Sequence, residues 1–232
     1  MKTIGMIGGM SWESSAVYYR LINEGVAARL GGLHSAQSLL FSFDFDEIER
    51  LQHQGQWEQA TRRMVDAAQR LERGGADFVI ICTNTMHLMA DAVQQQLAVP
   101  LLHIVDPTAD AIRQQGLHTV GLLGTRFTME QEFYRGRLEQ RHGLQVVVPD
   151  EPDRAIIHAV IYDELCRGIV NPASQAQCRG IIEQLVVAGA EAVILGCTEL
   201  MLLITQQDSA VPLFDTTALH AQAAVTYALA EQ

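Results

Sequence analysis

An internal repeat constrains the fold of this chain more than any other feature of its sequence. Three pairs of segments recur at nearly the same spacing: residues 75–84 with 189–198, residues 3–8 with 119–124, and, more weakly, residues 99–101 with 211–213. In the longest pair, Thr83 is equivalent to Cys197, and Cys82 is equivalent to Gly196. Repeated pairings at one spacing are hard to obtain by chance, so the sequence predicts two related halves.

Each half contains short apolar runs that predict buried parallel strands. Ala192–Leu195 is followed almost at once by Cys197, and the equivalent run in the first half is followed by Thr83. The amphipathic segment Trp57–Arg73 predicts the helix of a right-handed crossover. Because open α/β sheets bind ligands at the carboxyl ends of their strands, both polar ends are candidate site positions. We therefore predict an α/β protein made of two similar parallel-sheet domains.

Other segments carry weaker patterns. Residues 3–9 predict the first strand, and the glycine turn that follows leads into a helix capped by Ser11 or Ser14. This turn lacks the GxGxxG spacing, which argues against dinucleotide binding. Residues 39–45 predict a strand, and residues 128–141 predict a helix.

Composition excludes several classes of protein. Charged residues make up 19% of the chain and hydrophobic residues 48%, which argues against disorder. The formal net charge of −11 repels phosphate backbones, and no basic cluster offsets it, so we expect no nucleic-acid partner. The first residues lack the unbroken apolar core of a signal peptide, and we expect neither a secretion signal nor a membrane span.

Cysteine and lysine usage narrow the chemistry further. The four cysteines, at positions 82, 166, 178 and 197, show no CxxC spacing, which favours a reduced, cytoplasmic protein. Lys2 is the only lysine, and an enzyme that holds pyridoxal phosphate needs a lysine for its Schiff base. We therefore expect any amino-acid chemistry here to proceed without a cofactor.

Cys197 is the main candidate for a catalytic side chain. A cysteine that ends a buried strand is often only a small core residue. Thr198 could cap a helix that starts directly after it, and the dipole of that helix would favour a thiolate. The equivalence of Cys197 and Thr83 favours a function, because inversion at a carbon requires two groups at opposite faces of one ligand.

Three motifs resemble the aspartate/glutamate racemase family: IGMIGGM at residues 4–10, TNTMH at residues 83–87 and GCTEL at residues 196–200. The resemblance runs from the first strand to the C-terminus, and GCTEL is its most specific part. It implies two domains with pseudo-twofold symmetry, an active site in the cleft between them, a two-base mechanism without a cofactor and, often, a homodimer. On this basis the first domain comprises residues 1–104 and 212–232, and the second comprises residues 105–211.

The chain departs from the family at one catalytic position. Family members usually carry a Cys-Asn-Thr motif in the first half, and Thr83 stands where that thiol belongs. Cys82 is an alternative to Thr83, although strand alternation should turn it to the other side of the sheet. The resemblance implies that Cys197 removes the α-proton of an L-amino acid, either aspartate or glutamate. Thr83, directly or through water, would then reprotonate the opposite face.

Further site positions follow from the resemblance. The substrate-binding candidates are Met10, Asn84, Thr85, Thr125, Thr198 and Arg167, and the candidate assisting residues are His87 and Glu199. Helix capping, turn formation, core packing or a solvated helix end would account for these residues without any ligand. His87 lies four residues past Thr83, on the same helical face, and its neighbours show no metal-ligand spacing, so we expect no metal.

Two other functions fit the single strand-end thiol. The related arylmalonate decarboxylases also keep only the second-half cysteine, which protonates the carbanion left by loss of CO2. A binding protein for an amino acid that lost catalysis together with its first thiol is the alternative from another class. Turnover of a malonate would identify the decarboxylase, and binding without turnover would identify the binding protein.

Overall fold

The computed structural model describes residues 1–230, which fold as two compact units. The first unit comprises Met1–Ile104 together with residues 220–230, and the second comprises Val105–Leu219. None of the helices in residues 1–230 combines the length and the apolar composition that crossing a membrane requires.

The first unit contains a four-stranded parallel sheet. Its strands are β1 (Ile4–Gly8), β2 (Ser38–Ser42), β3 (Phe78–Ile81) and β4 (Leu101–Leu102), and they lie in the order β2-β1-β3-β4. Its helices are α1 (Trp12–Leu30), α2 (Phe45–His53), α3 (Trp57–Arg73) and α4 (Ala90–Gln94), with a 3₁₀ helix at Thr85–Met89. Ser11 caps α1 by accepting a hydrogen bond from the Ser14 amide, which selects one of the two predicted caps.

Successive side chains of a strand point to opposite faces of the sheet, and those of the central strands are buried on both faces because both faces are covered. Ile7 and Val79 pack into one core with side chains of α2 and α3. Phe78 and Ile80 pack into the other core with side chains of α1. Cys82 belongs to this second core and is fully buried, so strand alternation makes it a packing residue as predicted. Burial of a large aliphatic side chain stabilises the fold by about 1.5–3 kcal/mol.

The second unit repeats this architecture. Its strands are β5 (Thr119–Gly124), β6 (Gln145–Val147), β7 (Ala192–Gly196) and β8 (Leu213–Asp215), in the order β6-β5-β7-β8. Its helices are α5 (Val105–Gln114), α6 (Arg126–Glu130), α7 (Glu132–Gly136), α8 (Glu151–Ala159) and α9 (Pro172–Val187). Short π helices lie at Arg137–Arg141 and Val160–Glu164, and short 3₁₀ helices lie at Leu165–Arg167, Leu200–Leu202 and Gln206–Asp208. The last helix, α10 (Thr216–Leu229), contains residues of both units.

The two sheets have the same strand order, and the three repeated sequence pairs fall on equivalent strands: β1 and β5, β3 and β7, β4 and β8. Even individual contacts recur. The Asp77 carboxylate accepts a hydrogen bond from the Thr3 amide at 2.6 Å, and the Glu191 carboxylate accepts one from the Thr119 amide at 2.8 Å. The prediction of two similar parallel-sheet halves is therefore confirmed at the level of strand order and of hydrogen bonding.

The boundary between the units differs from the one given by the sequence. Residues 212–219 lie in the second unit, not the first, because β8 pairs with β7 through Val193 and Leu213. Residues 231 and 232, which the sequence assigns to the first domain, lie outside the described residues. The return to the first unit therefore occurs within α10 and not before it.

Two predicted elements differ from the structure for local reasons. The strand expected over residues 39–45 ends at Ser42, because Asp44 accepts a hydrogen bond from the Asp46 amide and starts α2. The helix expected over residues 128–141 is interrupted at Gln131, whose backbone is extended. The helix α2 was not predicted from the sequence, although Ile48 and its other buried residues cover one face of the sheet.

The turn after β1 requires glycine at position 9, because both the backbone conformation and the available space exclude a side chain there. Gly9 has φ +81, and a Cβ there would overlap the backbone nitrogen and oxygen of Phe43. Gly55 also has a positive φ, +66, but a Cβ added there would meet no atom within 4 Å. We expect Gly55→Ala to lower the free energy of unfolding by about 1 kcal/mol and Gly9→Ala by about 3 kcal/mol or more. Urea unfolding of both variants tests this; equal losses would show that crowding at Gly9 has no energetic weight.

Candidate active site

The first unit brings a group of polar residues to the carboxyl end of β3. Thr83 is partly buried, and Asn84 and Thr85 are almost fully buried, with 2% and 5% exposure. Asn84 precedes the 3₁₀ helix without a side-chain capping hydrogen bond, so capping does not explain it. The three residues therefore form a polar strand end beside the apolar core that contains Cys82.

His87 fixes the position of Thr83. Its Nδ1 lies 2.8 Å from the Thr83 carbonyl oxygen, and the Ile104 amide donates to its Nε2 at 3.2 Å. Because a carbonyl only accepts and an amide N–H only donates, these contacts place the ring proton on Nδ1 of a neutral imidazole. The ring is 2% exposed and lies beside that of His103, with ring centroids 4.6 Å apart. His87 is thus a buried support of the strand end and not a surface histidine.

Removing this support should cost stability. His87→Ala leaves the Thr83 carbonyl and the Ile104 amide without their imidazole partner and opens a void, so we expect a loss of about 2–4 kcal/mol in the free energy of unfolding. The control is His53→Ala on the surface of α2, which should change stability by less than about 0.5 kcal/mol. Thermal unfolding of both variants is the measurement, and similar melting temperatures would contradict the role assigned to His87.

Met10 and Gln52 lie in the same unit. Met10 follows the glycine turn after β1, is 4% exposed and packs in the core that contains Met86. Gln52 of α2 is also 4% exposed and donates from Nε2 to the Met86 sulfur at 3.1 Å. A buried amide on an amphipathic helix is unusual. Gln52 was not among the predicted site residues because α2 itself was not predicted. The glutamine at an apolar spacing relative to Ile48 is the signal that would have found it.

The second unit brings Cys197 to the carboxyl end of β7. The strand end is tightly packed: a Cβ at Gly196 would lie 2.8 Å from the Leu123 carbonyl oxygen. The Cys197 Sγ donates a hydrogen bond to Glu199 Oε2 at 3.0 Å, and the Thr198 hydroxyl donates to the same oxygen at 2.7 Å. Cys197, Thr198 and Glu199 are 8%, 5% and 4% exposed, so this is a compact and largely dehydrated cluster.

The electrostatics of Cys197 differ from the sequence-based expectation. No long helix starts after Thr198, where the described chain forms only a short 3₁₀ helix at Leu200–Leu202. Burial raises the pKa of the Cys197 thiol well above its usual value, and the neighbouring charge of Glu199 raises it further. The expected stabilisation of a thiolate by a helix dipole is therefore wrong, because the helix is absent and the nearest charge is negative. At rest Cys197 is a thiol.

The remaining candidates in the second unit occupy different environments. Thr125 is 5% exposed and caps α6 by accepting a hydrogen bond from the Thr128 amide at 3.3 Å. The sequence indicated a turn at Thr125, and the structure shows a helix cap instead. Capping does not exclude contact with a ligand. Arg167 is exposed and lies 3.8 Å from Asp163, a geometry typical of a weak surface ion pair.

The structure thus gathers seven of the ten candidates into two clusters, one in each unit, and Met10, Thr125 and Arg167 are not among the seven. Thr83, Asn84, Thr85 and His87 lie together after β3, and Cys197, Thr198 and Glu199 lie together after β7. Within residues 1–230, no group of three or more His, Cys, Asp or Glu side chains is arranged to hold a metal ion. Each cluster offers proton donors and acceptors at a strand end, which suits acid–base chemistry on a small polar ligand.

Comparison with known proteins identifies the family of this chain. A model of the Asp/Glu/Hydantoin racemase family matches residues 7–224. The chain is similar to a candidate Asp/Glu racemase from Yersinia pestis, with 52% identity, a TM-score of 0.93, and coverage of 99% of this chain and 100% of that one. It is similar to an aspartate racemase homologue from Pyrococcus horikoshii OT3, with 35% identity, a TM-score of 0.84, and coverage of 98% and 99%.

A curated relative, with lower sequence identity than the two structures above, is also an amino-acid racemase. The chain is 28% identical over 174 residues to the broad specificity amino-acid racemase RacX of Bacillus subtilis, which covers 74% of this chain and 73% of that protein. The family match extends over nearly the whole described chain and includes both repeated sheets. This protein therefore belongs to the Asp/Glu/hydantoin racemase family.

Proposed function

We propose that this protein is an amino-acid racemase that needs no cofactor and acts on aspartate or glutamate. The observation that carries the proposal is the equivalence of the two strand ends, which follow β3 and β7 in sheets of identical strand order and present Thr83 and Cys197. Cys197 takes the α-proton from the L-enantiomer, and Thr83, directly or through water, supplies a proton to the opposite face. The relatives whose names support this proposal are a candidate Asp/Glu racemase, an aspartate racemase homologue and a broad specificity amino-acid racemase.

The substrate carboxylate needs donors aimed at the charge that develops on the α-carbanion. We assign this role to Asn84, Thr85, Thr125 and Thr198, which are all buried polar residues beside a strand end, with the Met10 backbone alongside. Arg167 is our candidate for the side-chain carboxylate, since its exposed ion pair with Asp163 is weak enough for a ligand to compete. We further propose a cytoplasmic homodimer. No disulfide joins the four cysteines in the part of the chain that the structure describes, which suits a reducing compartment. Sedimentation equilibrium tests the dimer.

The test is α-proton exchange in D2O, followed by NMR and chiral chromatography, with the L- and D-forms of aspartate and glutamate. A racemase incorporates deuterium and inverts the α-carbon of the same substrate until both enantiomers are equal in amount. Absence of exchange with every amino acid tested would overturn the proposal. The preferred substrate is the one with the largest kcat/KM.

The single strand-end thiol also supports a second candidate, decarboxylation of an arylmalonate. Thr83 is a poor base, so the one thiol of the pair is suited to protonating a carbanion from one side. Release of CO2 from phenylmalonate with formation of one product enantiomer, without exchange on amino acids, would select this candidate. Binding of an amino acid with neither exchange nor decarboxylation would instead select a binding protein.

A further inference from the structure

We propose that His158 is a specificity-determining residue that donates a hydrogen bond from Nε2 to the side-chain carboxylate of the substrate. This inference rests on the proposed racemase function and adds to it a second donor for that carboxylate. Arg167, the first candidate, has a side chain that is 68% exposed in its long ion pair with Asp163. A residue that selects between substrates needs a fixed position, and the contacts of His158 provide one.

His158 is bonded to the chain at the carboxyl end of β5. Its Nδ1 accepts a hydrogen bond from the Arg126 amide at 3.2 Å, and Arg126 follows Thr125 as the first residue of α6. The last residues of β5 and β7 are paired, and neighbouring strands lie about 4.8 Å apart. The chain segments that start at Thr125 and Cys197 therefore leave the sheet side by side, and His158 is bonded to the first of them.

The face of α8 that carries His158 runs antiparallel to α6. One turn before His158, Arg154 donates from Nε to Glu130 Oε1 at 2.9 Å. Glu130 lies four residues after Arg126, so a step of one turn forward along α8 moves the contact one turn back along α6. The chain that follows His158 therefore continues past the start of α6, toward the strand ends.

The segment after α8 lies close to Cys197. It forms a π helix at Val160–Glu164 and a 3₁₀ helix at Leu165–Arg167, and π turns are frequent at functional sites. After burial and the charge of Glu199, the charge of ionised Cys166 in this 3₁₀ helix raises the pKa of the Cys197 thiol. Because such an effect weakens with distance, α8 and its continuation form a wall beside the second cluster of candidate residues.

The hydrogen bond with Arg126 also decides which nitrogen of His158 donates. An amide N–H only donates, so Nδ1 is unprotonated and the proton of the neutral ring is on Nε2. The ring lies beside Tyr162 and Phe127, with centroid distances of 4.8 Å and 6.1 Å, which limits its rotation. Nε2–H is therefore a donor of fixed position. A carboxylate is a stronger acceptor for it than an uncharged group, so a substrate with an acidic side chain gains more from this bond.

Two substitutions separate the donor from the support of Arg126. His158→Asn can keep an acceptor near the position of Nδ1 but has no group at the position of Nε2. His158→Gln can place its amide N–H near the position of Nε2 but loses the acceptor. We expect His158→Asn to raise KM for L-aspartate on the order of tenfold with kcat little changed, because the lost bond serves the bound substrate and the transition state alike. His158→Gln should stay within about threefold of wild type.

The matched control is His142→Asn. His142 lies in the same unit, and its Nε2 is bonded to Asp106 instead of facing a substrate. This variant should leave KM unchanged. A loss in His158→Gln as large as that in His158→Asn would make His158 a structural support only. An unchanged KM in His158→Asn, or an equal rise in the control, would also overturn the inference.

Binding without turnover separates this inference from the proposed function. Succinate keeps both carboxylates of aspartate, and propionate lacks the one that represents the side chain. In protein labelled with ¹³C-histidine, succinate should shift the NMR ring signal of His158, which is identified by its loss from His158→Asn, and propionate should not. No shift with succinate, or equal shifts with both, would overturn the inference even if the protein racemises L-aspartate. A selective shift in a protein that exchanges no amino acid would support His158 while the racemase proposal fails.

Discussion

Cys197→Ser should lower α-proton exchange on L-aspartate and L-glutamate by about 10²–10⁴-fold, the range expected when a positioned acid–base group is lost. Serine has nearly the shape of cysteine and can still donate a hydrogen bond to Glu199, so the fold should be retained. Its hydroxyl is a far weaker acid than a thiol, and the alkoxide needed to remove an α-proton is not accessible at neutral pH. The measurement is deuterium incorporation at the α-carbon, with circular dichroism to establish that the variant is folded.

The matched control is Cys178→Ser. Cys178 is a buried cysteine of the same unit, but it lies within helix α9 and not at the end of a strand. Its replacement should cost a little stability and leave exchange unchanged. Equal loss of exchange in both variants would show that the effect comes from disturbing the unit as a whole. Full exchange in Cys197→Ser would remove Cys197 from the mechanism.

The features that the sequence predicted are those that depend on local pattern and on repetition. The repeated segments ending in Thr83 and Cys197 predicted strands β3 and β7, because a short apolar run followed by a polar residue has few other folds. The helix over Trp57–Arg73 was predicted with the bounds that the structure shows, since its apolar spacing is regular. The identical strand order of the two units then follows from the duplication.

The features that escaped the sequence depend on contacts between side chains. Glu199 is two residues from Cys197 along the chain, and only the fold of the turn after β7 shows that its carboxylate returns to the thiol. The same turn replaces the expected helix, which reversed the predicted electrostatics of Cys197. The helix α2 was not predicted because the apolar pattern of β2 continues to Phe45, the first residue of α2. The boundary between the two elements is the hydrogen bond that Asp44 accepts from the Asp46 amide, and residue spacing alone does not show it.

The second large effect is expected at Thr83, where the family's usual thiol is absent. Thr83→Cys should raise kcat/KM for racemisation by a factor on the order of 10², because a thiol is a much better proton donor and acceptor than a hydroxyl. The factor must be the same from L to D and from D to L, since enantiomers have equal free energies in water. Equal factors in the two directions therefore show that the assay is sound, and the size of the increase tests whether Thr83 occupies the position of the family's first catalytic thiol.

A partition experiment isolates the role of Thr83 from that of Cys197. For L-aspartate in D2O, each removal of the α-proton ends either in return to the same face or in inversion. Thr83→Cys should increase the number of inversions per exchange, whereas Thr83→Val, which keeps the shape but loses the hydroxyl, should decrease it. Exchange on the L-form itself should persist in Thr83→Val, because Cys197 is intact. If Thr83→Val inverts as often per exchange as wild type, the proton for the opposite face comes from another group, and Thr83 is then only part of the wall of the site.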